Sequence, residues 1–272
     1  MTNAQRAIKY FAIALAFSII INIVYCGIFV VYQIGNVLNL VTNKNDDDVG
    51  KIIETNINNA TSLDISLQFA TLEIVNGEKF LVETNNKYVT VKQNGNNLVI
   101  KESDRTWFST RKQNKLIVYV PYNTVFDKVD IETGAGTINI GVLNTNELSL
   151  EIGAGKVDIE SLLTKSRTKI EGGAGSVVIS SGEIANLSLD SGVGRVVLKG
   201  KLIGNNKINA GIGEINLTLI DRFENYRLEA SKGIGSISLN DSEIIDGVIY
   251  GTGNNYIKID GGIGSINIST ER

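Results

Sequence analysis

The residues best placed to do chemistry in this chain recur two positions before a Gly-x-Gly pair: Glu132, Glu151, Glu171, Asp190, Asn209, Ser231 and Asp260. Stacked as neighbouring strands about 4.8 Å apart, the four successive carboxylates would repel one another and raise one another's pKa values. A divalent cation or a basic partner would relieve that repulsion. Lysines of the chain itself would also do so, because the adjacent outward column reads Asp130, Ser149, Lys169, Ser188, Lys207, Glu229 and Lys258. Mixed charge of this kind is ordinary on a solvated face. The expectation is therefore no metal and no cofactor, with Glu132, Glu151, Glu171 and Asp190 kept as a candidate binding surface. A second candidate is Trp107-Phe108, in the polar stretch 103–115. Exposed aromatics stack on sugars or dock proteins, whereas the lone Trp of a domain more often covers an end of its core.

What is missing narrows the chemistry further. The chain has no histidine, and its one cysteine, Cys26, lies in an apolar segment without a partner for an intramolecular disulfide. Ser-His-Asp and Cys-His nucleophile systems and imidazole zinc sites are excluded. Carboxylate pairs could still serve a polysaccharide-active enzyme, which would need clustered Asp/Glu with Arg or Lys on one face. The Gly-x-Gly pairs are not dinucleotide loops, because a strand rather than a helix follows each of them. A formal charge of −3 without a basic cluster argues against nucleic acid. The expectation is a protein that is not an enzyme.

The elements that must position the carboxylates are seven copies of one pattern, at 131–140, 150–159, 170–179, 189–198, 208–217, 230–239 and 259–268. Each copy changes the phase of its apolar alternation at the same place. In the second, Leu148, Leu150, Ile152 and Ala154 fall on even positions and Val157 and Ile159 on odd ones. A straight strand alternates faces with period two, so both sets reach one core only through a corner. The second glycines, Gly136, Gly155, Gly175, Gly194, Gly213, Gly235 and Gly264, stand at the flip, where a residue without Cβ turns the chain. Repetition at this period predicts an all-β fold, a single-stranded β-solenoid of 19–20-residue coils, stacked in chain order. First-glycine spacings of 19, 20, 19, 19, 22 and 29 residues place insertions in the later coils, chiefly at 241–255, on a face of the solenoid. Residues 63–74 repeat the flip without glycine and start the stack, and the short runs of 80–120 continue it before the regular array. The column Ala135, Ala154, Ala174, Val193, Ile212, Ile234, Ile263 is read as inward, which predicts an interior that widens toward the C-terminus.

From Tyr10 to Asn43 there are 34 residues without Asp, Glu, Lys or Arg. About 20 apolar residues span a bilayer, so residues 10–34 are read as one transmembrane α-helix rather than a cleaved signal peptide. Arg6 and Lys9 before it and Asp46-Asp47-Asp48 after it place the N-terminus inside by the positive-inside tendency. The expected organisation is a cytoplasmic 1–9, the helix 10–34, a linker 35–50, irregular β-coils over 51–128 and the regular Gly-x-Gly solenoid over 129–272, held outside the cell membrane.

The run Leu116-Ile-Val-Tyr-Val-Pro121, followed by Val129-Asp-Ile-Glu-Thr-Gly-Ala-Gly-Thr-Ile-Asn-Ile140, resembles the bacterial "putative adhesin" family, domain of unknown function 4097, over roughly residues 50 to 268. The resemblance implies a β-solenoid, a cell-envelope setting and, for some relatives, a part in envelope stress. It transfers no catalytic residue. Three functions follow in order: a membrane-anchored envelope protein presenting its stack to proteins or glycans, a structural or self-associating spacer, and a polysaccharide-active enzyme.

Overall fold

A computed structural model describes residues 53–57, 59–103 and 114–271, all within one compact unit, Val49–Arg272. The expected membrane helix with Cys26, its flanks 1–9 and 35–50, and Trp107-Phe108 lie outside the described residues. Among the described residues no helix is long and apolar enough to cross a membrane.

Strands β1 (Ile53–Asn56), β2 (Ser62–Gly77), β3 (Leu81–Thr84), β4 (Val89–Asn94), β5 (Asn97–Glu102) and β6 (Lys115–Pro121) precede the long β7 (Phe126–Ile179). Then come β8 (Gly182–Ala185), β9 (Leu187–Ile203), β10 (Asn205–Ile220), β11 (Tyr226–Leu239), β12 (Ser242–Glu243), β13 (Ile249–Tyr250) and β14 (Asn255–Glu271). Strand β7 runs for 54 residues because its ladder continues around three Gly-x-Gly corners. Parallel pairing joins successive coils in perfect phase, for example Ile170 with Leu189 and Leu189 with Ile208. The two rows of each copy share one core, as the phase flip requires: Leu148, Leu150 and Ile152 are buried together with Val157 and Ile159.

The corner explains the second glycine on two counts. Gly194 has φ +147°, a region L side chains rarely adopt, and a Cβ there would lie 1.6 Å from the carbonyl oxygen of Gly175 one coil below. The first glycine is needed for proximity alone, since a Cβ on Gly192 would stand 2.4 Å from the Gly173 oxygen.

The coils from β7 to β9 also carry a third inward row, which no apolar pattern announces. Leu143, Leu162, Ile184 and Leu202 are buried there beside Thr145, Thr164 and Thr168. The threonines serve the next corner: Thr164 Oγ1 lies 2.7 Å from Thr168 Oγ1 and accepts the Ala185 N–H at 2.9 Å, while Thr168 Oγ1 donates to the Ala185 carbonyl. Buried Asn206 continues this, accepting from Leu187 N–H and donating to the Tyr256 carbonyl. Buried backbone groups at a bend need such partners.

Stacking departs from chain order at both ends. The first coil, β2, lies directly against β7, pairing Leu63 with Val129 and Ile74 with Ile140. Strands β3 to β6 therefore do not sit between that coil and the array. They cover its other side, β5 and β6 pairing parallel with its two halves and β4, β3 and β1 adding antiparallel strands beyond. At the β2 corner, beside a rung made of two separate strands, side chains bond to the backbone. The buried Glu102 carboxylate accepts from Gln68 N–H at 2.9 Å, Phe69 N–H at 3.3 Å and Asn86 Nδ2 at 2.9 Å. Asn114 Nδ2 donates to the Phe69 carbonyl.

At the other end the last copy does not form the last rung. Strand β14 is inserted between β10 and β11, with Ile259 facing Ile208 on one side and Ala230 on the other. The glycines confirm the order, since a Cβ on Gly264 would meet the Gly213 oxygen and one on Gly235 the Gly264 oxygen. The insertion after Leu239 is not a loop on a lateral face. It folds back over the outer edge of β11, where Ser238 and Leu239 pair with β12 and Leu228 and Glu229 with β13. Between these, Ile244 N–H donates to the Ile237 carbonyl, Gly247 N–H to the Ala230 carbonyl and Lys232 N–H to Asp246 Oδ1. The edge most open to further strand pairing is thereby blunted.

Candidate functional site

The carboxylates of the repeated motif do form one column. Glu171 pairs with Asp190, Asp190 with Asn209 and Asn209 with Asp260, while Ser231 follows Asp260 instead of preceding it. Glu132 and Glu151 are exposed, and Glu171 and Asp190 are half-buried. Glu171 and Asp190 have neighbours in the chain that offset their repulsion. Lys169 Nζ lies 2.8 Å from Glu171, an arrangement whose hydrogen bond raises the Lys169 pKa, and Asn209 Nδ2 donates to Asp190 Oδ1. In the adjacent column Lys128 pairs with Asp130 at 3.0 Å and Lys258 with Glu229 at 3.4 Å. Tyr256 also donates to Glu229, and this bond, ahead of the Lys258 charge, holds the Glu229 carboxyl below its ordinary pKa. Among the described residues no group of three or more Asp, Glu, Cys or His side chains is arranged to hold a metal ion.

Beside the column runs a shallow open groove of about 400 Å³ lined by Glu151, Glu171, Asp190 and Asn209 together with Gly153, Gly173 and Gly192. The lining is concave where glycines leave no side chains. The elements that build it are the rows entering the corner, whose close approach the first glycine permits.

The column at the middle position of Gly-x-Gly points outward, not inward. Ala135, Ala154 and Ala174 are half-buried, Val193 is 40 % exposed, Ile263 37 % and Ile234 69 %. The even-phase row ends at Ile152 and its equivalents; the residue between the glycines stands at the apex of the turn, so its Cβ leaves both rows. The expected widening of the interior is thus replaced by a change outside. In spatial order Phe69, Ala135, Ala154, Ala174, Val193, Ile212, Ile263 and Ile234 form a ridge along the corner. Beyond the alanines it becomes branched and more exposed toward the covered end, where Ile245, Val248 and Ile249 are also exposed. Scattered apolar residues on a surface need no explanation, whereas these are contiguous along one edge. Parity alone reads these residues as core; the signal against that reading is their confinement between two glycines.

A family model described as Toastrack DUF4097 matches residues 54–247 of the chain. No curated protein matches it. Among solved structures, the chain is similar to a "putative adhesin" from Bacteroides fragilis at 13% identity, covering 80% of this chain and 95% of the other with a TM-score of 0.48. A "putative cell adhesion protein" from Clostridium sporogenes is similar at 14% identity over 81% and 99% of the two chains, TM-score 0.38. A "putative lipid binding protein" from Parabacteroides distasonis is similar at 13% identity over 80% and 96%, TM-score 0.36. At these identities the likeness concerns the fold alone.

Proposed function

We propose that this chain, which belongs to the Toastrack DUF4097 family, is a non-enzymatic envelope protein, anchored by residues 10–34, whose extracytoplasmic stack makes contact with another protein through its corner edge. The observation that carries this reading is the outward ridge from Val193 to Ile234, flanked by the carboxylate-lined groove. Evolved surfaces seldom keep branched aliphatic side chains in a line in water unless something covers them. The ridge is aliphatic, so it favours protein over glycan, since sugars are gripped by aromatic faces. A glycan role rests instead on Trp107-Phe108, which would have to be exposed.

The anchor and orientation are tested by treating intact cells with protease. Release of a fragment approximating Val49–Arg272, with residues 1–34 kept in the membrane fraction, is the expected result; a chain found in the soluble cytoplasmic fraction contradicts the reading. The contact role is tested by replacing Val193, Ile263 and Ile234 together with Ser. The variant should keep its strand spectrum and melting temperature yet lose cell-surface attachment, and unchanged attachment would show that the ridge is not the contact surface.

A further inference from the structure

We infer that the C-terminal coil is an exchangeable element, and that β14 of one copy completes the stack of a second copy of this chain. Such exchange does not depend on the contact surface proposed above. Strand β14 occupies a slot between β10 and β11, paired parallel on both sides. Without it those two strands would face each other across two rung spacings, about 9.6 Å, with both facing edges unpaired. What fills the slot is a strand of matching register, with apolar residues at Ile257, Ile259, Ile266 and Ile268, glycines at the corner, and side chains such as Asn267 and Ser269 bonded to β10. A second copy supplies an identical strand. The connection from Leu239 to Asn255 is mostly exposed and includes positive φ at Asn240, Asp241, Gly247 and Gly251. About 15 residues of such chain reach up to about 50 Å when extended, enough to cross to a neighbour. The family match stops at residue 247, leaving β14 outside it. Exchange keeps every contact that β14 makes with β10 and β11 while changing which molecule provides it, and gives up only the β12 and β13 pairings of a drawn-out connection; domain swapping of this kind is a low-cost route to dimers.

The test uses the full chain with Cys26→Ser, in detergent. Ser269 Oγ donates to Thr218 Oγ1 at 3.1 Å across β14 and β10, so cysteines at these sites report that pairing. One chain carries Thr218→Cys and a differently tagged chain carries Ser269→Cys. Unfolded together and refolded at increasing concentration, they should yield a disulfide-linked band containing both tags, its share growing with concentration. A mixture of Thr218→Cys with Ser238→Cys, which faces β14 rather than β10, should give no such band. The inference is overturned if the Thr218/Ser269 mixture refolds, by its strand spectrum, without any two-tag band at any concentration while a single chain bearing both cysteines closes its own disulfide completely. An equal band from the Ser238 control would overturn it too.

Discussion

At the level of single residues, the glycines of the corner differ sharply in what they tolerate. Gly194 combines positive φ with backbone 1.6 Å from the place of a Cβ. Gly194→Ala should destabilise the unit by about 3 kcal/mol or more, since backbone must move. Gly95 has φ +59° but nothing within 4 Å, so Gly95→Ala should cost only about 1 kcal/mol. Urea unfolding of the two variants checks the contrast. Tyr226 gives a pH prediction. Its ring is fully buried, and its hydroxyl faces the Leu202 backbone without reaching good hydrogen-bond geometry; burial, outweighing the opposing pull of that backbone group, pushes its pKa up to about 12. The unfolded chain loses this proton near pH 10 while the folded chain holds it, so stability should fall between about pH 10 and 12. Tyr226→Phe should weaken that alkaline loss and leave neutral stability unchanged or raised by up to about 1 kcal/mol. For the carboxylate column, Lys169 and Asn209 already relieve Glu171 and Asp190. Millimolar calcium should leave the melting temperature unchanged, and a clear rise would show a cation site there.

Among the elements, β14 carries the strongest expectation. A terminal repeat of an ordinary solenoid is the one it can best do without. Here the last copy is internal, so a stop after Asn254 removes four buried isoleucines and unpairs two strands at once. Loss of the cooperative unfolding transition of the whole unit is expected, and a truncated chain melting within a few degrees of the full one would contradict the observed order. This order was not legible in the sequence, because every copy carries the same register and any copy fits beside any other. What was legible came from parity: Leu150 and Ile152 against Val157 and Ile159 cannot share a core without a corner, and they share one. The third row escaped because its inward positions include Gly182, Gly200, Thr145 and Thr164, which no apolar count detects. Extending the even row one step past the turn assigns Ala154 to the core, and that single step moves the whole ridge to the wrong side.

For the molecule as a whole, these features give a stack with covered ends and one apolar edge. Among the described residues β1, β3 and β4 lie over the N-terminal end of the stack and residues 240–254 over the C-terminal end, and the apolar ridge runs along the flank between them. Contact through that flank requires the residue between the glycines to face out, on a unit held outside the cell. Cysteines placed singly at Val193, Ile263 and Ile234, and at the buried Val196, Ile266 and Ile237, in a Cys26→Ser chain, can be probed on intact cells with a membrane-impermeant maleimide. Rapid labelling of the first three is expected, with protection of the second three until denaturant is added. Protection of the ridge positions, or labelling of both sets only after the cells are broken, would contradict an outward ridge on an extracytoplasmic stack.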